Sequence, residues 1–323
     1  RPGVKPPSLS ATQKRVLKIF CRQQLGNAIE ISVLTGGLSE AKVLRAFVYR
    51  GTQRITSAVV KLSVLHQVDE ERRKQIHVNN LPPGATTVLL SQVTAGAGNT
   101  AATFYRLADE YDHSIFHLLS TNPEYTENVV KKLQSLTSTW ANGGRLIPKT
   151  IRDLRREYVS DSIFDLVNQS SPELKLAEFE ETSVLIQICV QHGDLHGDNV
   201  LLNAQDQPIL IDYGDVGDHH AAIDPITLEL SFIFHPNSHF QQLKWPTCEQ
   251  VSHWCDLTSY LPDSPISQFI STCRNWAYDV APGNRSFYAM AYCHLIRQFK
   301  YNNTDKAIAR TMLAAWISAY SQT

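Results

Sequence analysis

Several features that would place the sequence in a specialised class are missing. No apolar run approaches the ~20 residues that a membrane-spanning helix needs, so we expect neither an integral membrane protein nor a membrane partner. Thirty Lys and Arg residues are balanced by 31 Asp and Glu residues, so the chain lacks the basic surface of a general nucleic-acid-binding protein. Charged residues are only 19% of the 323 and hydrophobic residues are 43%, which favours a large buried core over disorder.

The cysteines also lack a pattern. The six of them are spread along the chain without paired short spacings, which is typical of reduced thiols rather than of a disulfide framework or a zinc site. This distribution predicts a cytoplasmic protein. The proline-rich opening has no apolar core behind it, so we expect the trimmed edge of a longer chain rather than a targeting peptide.

The periodicity of apolar residues separates a β-rich first third from a helical remainder. A helix that Ser10 can cap comes first, and a charged helix is expected at residues 68–79. Strands are predicted at residues 29–35, 41–50, 55–65, 86–93 and 100–107. The rest reads as helices with one hairpin near the middle. We therefore predict an α+β chain in three parts, which are an N-terminal extension with one helix (1–26), a small β-rich part (27–109) and a large, mostly helical part (110–323).

Three polar residues between positions 190 and 215 have a spacing that matters for the predicted chemistry. Asp194 precedes Asn199 by five residues, and Asp212 follows thirteen later at the end of an apolar strand. Phosphoryl transfer uses a carboxylate to orient or deprotonate the attacking hydroxyl, and oxygen ligands to hold Mg²⁺ on the nucleotide phosphates. Each residue alone would be read as a turn cap or a strand end. As a set joined by a hairpin, they predict that Asn199 and Asp212 converge on one metal–nucleotide site.

These residues carry a specific resemblance. The pattern His-Gly-Asp-Leu-His-x-x-Asn followed by Ile-Asp-x-Gly-Asp resembles the catalytic and metal-binding motifs of the aminoglycoside phosphotransferase and choline kinase-like families, relatives of the protein kinases. Within that group the chain is most similar to the "ternary complex associated" phosphotransferase-like domains of bacterial signalling and conflict proteins. The motifs span residues 34–225. They imply a protein-kinase-like two-lobed fold. Residues 27–109 would form a small antiparallel β-rich N-lobe that binds the nucleotide, and residues 110–323 a large, mostly helical C-lobe for catalysis and acceptor binding. They also imply a fused or associated signalling domain as a partner.

The resemblance also implies roles for individual residues. Asp194 takes the position of the catalytic base, and Asn199 and Asp212 take those of the Mg²⁺ ligands. Lys61 corresponds to the strand lysine that grips the α and β phosphates of ATP, and Glu71 to the carboxylate that orients this lysine, with Glu70 as the alternative. Without the resemblance, a strand lysine before a Glu-rich helix would indicate only a solvated face.

Two further segments are expected to contact the nucleotide. Gly36, Gly37 and Ser39 lie between the first two strands, where a kinase-like fold has its phosphate-covering loop. Ala108 and Glu110 follow the fifth strand, where the resemblance places the hinge that pairs with adenine. Taken alone, the first segment is a hairpin turn and the second is a weak signal.

Two departures from protein kinases bear on the chemistry. His196 stands where protein kinases have a lysine two residues after the catalytic aspartate, so a titratable group replaces a permanent charge near the transferred phosphoryl group. Only eleven residues separate Asp212 from the helix start at Asp224, which leaves no room for a protein-kinase activation segment. We therefore predict an ATP- and Mg²⁺-dependent phosphotransferase that acts on a small hydroxylated molecule. A signalling module that modifies a protein or nucleotide and a nucleotide-binding pseudokinase scaffold remain alternatives.

Overall fold

A computed structural model describes residues 8–33, 42–106, 111–239, 243 and 245–323. Contacts group the chain into two compact units, Arg1–Asp112 with Leu201–Gly214 and His113–Val200 with Asp215–Thr323. The functional division at residues 27–109 and 110–323 stays a prediction.

Strands and helices of the described residues are numbered in chain order. The strands are β1 (Ala28–Val33), β2 (Lys42–Arg50), β3 (Gln53–Val64), β4 (Leu89–Val93), β5 (Thr100–Arg106), β6 (Tyr111–Ser114), β7 (Arg145–Thr150), β8 (Ser183–Gln191), β9 (Val200–Asn203), β10 (Pro208–Leu210) and β11 (Gly217–His220). The helices are α1 (Ala11–Gln23), α2 (Leu65–Val78), α3 (Ile115–Thr121), α4 (Thr126–Ala141), α5 (Ile151–Arg156), α6 (Asp161–Ser170), α7 (Leu176–Glu180), α8 (Ile223–Phe234), α9 (Cys248–Ser252), α10 (Leu257–Tyr260), α11 (Ser267–Val280), α12 (Asn284–Gln298) and α13 (Lys306–Ser321). Among the described residues, none of these helices has both the length and the apolar character needed to cross a membrane.

An antiparallel sheet in the order β1-β2-β3-β5-β4 forms the body of the first unit. Helix α1 packs on it, and the ring of Phe20 stacks on that of Phe104 with 3.8 Å between centroids. Ser10 caps α1 as expected, because its hydroxyl accepts from the Gln13 amide while the Gln13 side chain accepts from the Ser10 amide. The predicted antiparallel meander of the first three strands and the total of five strands with one inserted helix are confirmed, although α2 begins three residues earlier than expected and β4 begins at Leu89.

The hairpin of β9 and β10 belongs to the first unit and forms a small sheet in the order β10-β9-β6. Its end is fastened by the Leu210 amide, which donates to the Ala85 carbonyl at 2.8 Å, and by the Tyr213 hydroxyl, which accepts from the Thr87 amide at 3.2 Å. These contacts fix the backbone on both sides of Asp212.

The second unit contains a sheet that the sequence patterns did not predict. Its order is β11-β8-β7, with the apolar strand β8 in the centre. Strand β7 contains Pro148, which cannot donate to a ladder and therefore fits only at an edge, and β11 is a short polar strand with two histidines. The expectation of a helical remainder with only one hairpin was therefore wrong, while the mostly helical character of this unit is confirmed.

A buried ion pair joins two helices of the second unit. Arg274 on α11 donates to both carboxylate oxygens of Glu229 on α8 at 3.0 and 2.7 Å, and both side chains are buried. The guanidinium also lies over the ring of Trp254, 3.4 Å from its centroid. Burial disfavours the charge on Arg274, but the Glu229 carboxylate outweighs it and raises the pKa of Arg274.

We expect Glu229→Gln to lower the free energy of unfolding by about 3–5 kcal/mol, because it leaves a buried guanidinium uncompensated. The control is Asp218→Asn, which breaks the exposed pair of Arg145 and Asp218 at 3.2 Å and should cost less than about 1 kcal/mol. Urea denaturation of the wild type and both variants measures the difference. A Glu229→Gln variant as stable as Asp218→Asn would show that the buried pair does not stabilise the fold.

Candidate active site

In the first unit, the structure brings together two of the predicted site residues. Lys61 lies on β3, and its Nζ is 2.5 Å from Oδ1 of Asp212 just beyond β10. The side chains are 19% and 38% exposed, so both remain accessible to a ligand. Asp212 has a φ of +58°, a left-handed conformation that aspartate tolerates better than most residues. The backbone conformation of Asp212 and its ion pair together orient the carboxylate toward Lys61.

Glu71 contacts two hydroxyl groups of β5. It is buried on α2 and accepts hydrogen bonds from the hydroxyls of Tyr105 at 2.6 Å and Thr103 at 3.0 Å. Burial first, and then the Glu71 carboxylate, raise the pKa of Tyr105. The described residues include no ion pair between Lys61 and Glu71, and the alternative partner Glu70 is exposed. Lys74, also on α2, donates instead to the Gly214 carbonyl, a contact that the sequence did not predict.

The remaining predicted nucleotide contacts cannot be placed. Gly36, Gly37, Ser39, Ala108 and Glu110 all lie outside the described residues. Their roles stay predictions.

In the second unit, the loop after β8 carries Asp194 and Asn199. The Asn199 amide Nδ2 donates to the Asp194 carbonyl at 2.8 Å, so the two predicted residues are joined through the backbone. Asn199 is buried, whereas the Asp194 side chain is 33% exposed. The loop therefore presents the Asp194 carboxylate to a ligand while holding its backbone still.

Asp224 fixes this loop from the start of α8. Its two carboxylate oxygens accept from the consecutive amides of His192 at 2.7 Å and Gly193 at 2.9 Å. Burial raises the pKa of Asp224, and the two amides oppose that shift. The sequence identified Asp224 only as a helix start, since a hydrogen bond to backbone atoms 31 and 32 residues away leaves no motif.

Charged and aromatic groups surround Asp194. Arg297 on α12 places Nη2 3.4 Å from Asp194 Oδ1, and His196 places Nε2 3.8 Å from Oδ2. The His196 ring stacks on that of His235 at 4.4 Å between centroids. Burial, and then the neighbouring His196, lower the pKa of His235 to about 4. Arg297 and His235 were not predicted, because neither lies in a recognisable motif.

The donor atoms are compatible with a magnesium ion, although the described residues contain no cluster of three or more His, Cys, Asp or Glu that could hold a metal. The Asn199 Nδ2 donates to the loop backbone, which leaves the amide oxygen as its ligand atom. Carboxylate and amide oxygens are the ligands that hard divalent cations prefer. Asn199 and Asp212 therefore remain the predicted ligands.

Comparison with known protein families identifies the family to which the chain belongs. The model of a phosphotransferase enzyme family matches residues 48–238, more than half of the sequence. The chain belongs to this phosphotransferase family. It is a kinase-type phosphotransferase that acts on hydroxyl groups. A comparison with curated proteins gave no match.

Solved structures support the fold of this phosphotransferase. A candidate aminoglycoside phosphotransferase from Ralstonia eutropha is similar with a TM-score of 0.58 and 10% identity, covering 96% of this chain and 98% of that one. Aminoglycoside-3'-phosphotransferase of type VIII has a TM-score of 0.50 and 16% identity, covering 90% and 100%. A thermostable mutant of aminoglycoside phosphotransferase APH(4)-Ia, in a ternary complex with ADP and hygromycin B, has a TM-score of 0.50 and 12% identity, covering 94% and 99%. The predicted protein-kinase-like fold is confirmed.

We expect Gly193→Ala to destabilise the Asp194 loop. Gly193 has a φ of +81°, and a Cβ there would lie 2.6 Å from the Asp215 carbonyl oxygen and 2.8 Å from His219 Nε2. The control is Gly143→Ala, where φ is +89° but no atom lies within 4 Å, so only the conformational cost of about 1–2 kcal/mol applies. Urea denaturation should show a clearly larger loss for Gly193→Ala, and equal losses would contradict the crowding argument.

Proposed function

We propose that this phosphotransferase moves the γ-phosphoryl group of ATP, in a Mg²⁺-dependent reaction, to a hydroxyl of a small molecule. The observation that carries the proposal is the Asp194 carboxylate, 33% exposed on a loop whose amides are bound by the buried Asp224. A general base needs an accessible carboxylate at a fixed position. In the proposed reaction the acceptor oxygen bonds to the γ-phosphorus, the bond to ADP breaks, and the hydroxyl proton passes to Asp194.

Nucleotide binding is assigned to residues 27–109 together with Asp212. Lys61 would hold the α and β phosphates of ATP. Its Nζ lies 2.5 Å from Asp212 Oδ1, which supports a position in which the ammonium group binds negatively charged oxygens. Asp212 and Asn199 would hold Mg²⁺, which neutralises phosphate charge when bound. Gly36, Gly37, Ser39, Ala108 and Glu110 are assigned to the nucleotide by the resemblance alone, and residues 110–323 to catalysis and the acceptor.

The acceptor class follows from the segment between Asp212 and α8. Its strand β11 pairs with β8, and His220 is so buried that its pKa falls to about 3. The eleven residues of this segment are largely taken up by the pairing with β8 and leave no long loop to support an extended peptide, which favours a small acceptor. The APH(4)-Ia structure holds such a molecule, the antibiotic hygromycin B. A hydroxylated small molecule is therefore the acceptor we propose.

We expect Asp194→Asn to lower turnover by roughly 10²- to 10⁴-fold with little change in ATP affinity, because the carboxylate acts on the acceptor and not on the nucleotide. The assay follows transfer from γ-labelled ATP to a panel of aminoglycosides, amino alcohols and sugars, with ATP affinity measured by calorimetry. Asp206→Asn, the same change in the exposed β9–β10 turn, is the control and should keep wild-type turnover. Full activity in Asp194→Asn, or loss of ATP binding, would contradict the assignment.

Asp212→Ala should abolish the effect of Mg²⁺ on nucleotide affinity, since it removes the proposed principal metal ligand. Calorimetry with a non-hydrolysable ATP analogue, with and without Mg²⁺, measures this effect. Asp215→Asn is the matched comparison, because Asp215 is the nearest other carboxylate in the motif. If Asp215→Asn loses the Mg²⁺ effect and Asp212→Ala keeps it, the metal ligand is Asp215 instead.

A further inference from the structure

Lys74 contacts the segment that carries Asp212, and the motif does not explain this contact. The residue lies on α2, one turn after Glu71, and is half-buried. Its ammonium group donates to the backbone carbonyl of Gly214, two residues beyond Asp212. A hydrogen bond from a charged donor is stronger than one from a neutral donor. Lys74 therefore fastens the motif to α2.

Gly214 connects this contact to Asp212. The Gly214 amide donates to Asp212 Oδ1 at 3.4 Å, so Asp212 binds the amide of this residue and Lys74 binds its carbonyl. A Cβ at Gly214 would lie 3.4 Å from Asp212 Oδ1 and 3.5 Å from Lys61 Nζ, which places the Gly214 backbone directly against the ion pair. Because a glycine backbone has little conformational preference of its own, its orientation depends on these two hydrogen bonds.

Glu71 anchors the helix from which Lys74 extends. Residues three apart on a helix are neighbours on its surface, so Lys74 lies beside the buried Glu71 on α2. The Glu71 carboxylate accepts from the hydroxyls of Tyr105 at 2.6 Å and Thr103 at 3.0 Å, both on β5. Strand β5 pairs in turn with β3, the strand that carries Lys61. Lys74 therefore projects from a helix that is fixed to the same sheet as Lys61.

We propose that Lys74 is a positioning residue for Asp212, which fixes the Gly214 backbone so that the Asp212 carboxylate keeps the orientation in which it can bind a divalent cation. This inference rests on the proposed role of Asp212 as the principal metal ligand. Groups that orient a ligand without touching the metal are typically worth about 10- to 100-fold in metal affinity. Lys74 acts on the carboxylate through the backbone and does not itself bind the nucleotide.

The first test needs no ligand. Hydrogen–deuterium exchange, resolved to single residues by overlapping peptides, measures the opening of the segment at residues 208–217. We expect Lys74→Met to speed exchange of the Gly214 amide by about tenfold or more, because loss of a hydrogen bond from a charged donor favours local opening to about that extent. Arg73→Met, which removes an exposed charge from the same helix, should leave exchange unchanged. Unchanged exchange in Lys74→Met would overturn the proposal.

The second test is calorimetry with a non-hydrolysable ATP analogue, with and without Mg²⁺. Lys74→Met should lower the affinity about 10- to 100-fold with Mg²⁺ present and leave the affinity without Mg²⁺ unchanged. Lys74→Arg should restore most of the loss because it keeps a charged donor, and Arg73→Met should bind as the wild type does. An equal loss with and without Mg²⁺ would mean that Lys74 binds the phosphates or only stabilises the fold, and would overturn the proposal.

A double-mutant cycle tests whether Lys74 acts through Asp212. If it does, adding Lys74→Met to Asp212→Ala should cause no further loss of affinity in the presence of Mg²⁺. A loss as large as the one in the wild-type background would show that the two residues act independently, and would overturn the proposal.

These tests distinguish two failures. If Mg²⁺ does not change the nucleotide affinity of the wild type, or if Asp212→Ala keeps the Mg²⁺ effect, the proposed metal role of Asp212 fails. The exchange measurement still decides in that case whether Lys74 holds the segment of Asp212. If Lys74→Met does not fold, as judged by thermal unfolding, Lys74→Ala replaces it and the same outcomes apply.

Discussion

The candidate site of the second unit depends on one buried carboxylate, Asp224. A buried carboxylate is costly unless its oxygens are satisfied, and Asp224 satisfies both of them with consecutive backbone amides of the loop after β8. The loop is held in turn, because any movement of its two amides would leave the buried Asp224 carboxylate without hydrogen-bond donors. Gly193 makes the turn with a φ of +81°, and Asn199 then closes the loop by donating to the Asp194 carbonyl. A segment with little regular structure thus gains the rigidity that a catalytic group needs.

Local patterns predicted the parts of the fold that local forces determine. The alternation of residues in β2 and β3 and the capping box of α1 are examples. The sheet of the second unit was missed because Pro148 argues against a strand and because a four-residue strand such as β11 has too few positions to show alternation. Spacing selected Asp194, Asn199 and Asp212, whereas Lys61 was assigned through the family resemblance. The sequence patterns did not select Asp224 or Arg297. Each contacts the loop from far along the chain, 31 and 103 residues away, and an isolated aspartate or arginine on a helix belongs to no motif.

The predicted site residues are divided between the two compact units. Residues 201–214 belong to the first unit, although the residues on both sides of them belong to the second. Asp212 is therefore in the same unit as Lys61. Asp194, Asn199 and Arg297 belong to the second unit and are organised by its own helices. Each group of side chains is therefore positioned by contacts within its own unit.

The pairing of Lys61 with Asp212 brings one positive and one negative side chain into direct contact. A metal–nucleotide complex of the kind proposed would separate them, with the cation going to the carboxylate and the phosphates going to the ammonium. Binding would then be an exchange of counterions, in which each side chain exchanges its partner in the pair for an oppositely charged group of the complex. A lone phosphate or a lone divalent cation could satisfy only half of this exchange and would leave the other half without compensation. The free protein would thus discriminate against the separate ions that are abundant in a cell and favour the complex that brings both charges together.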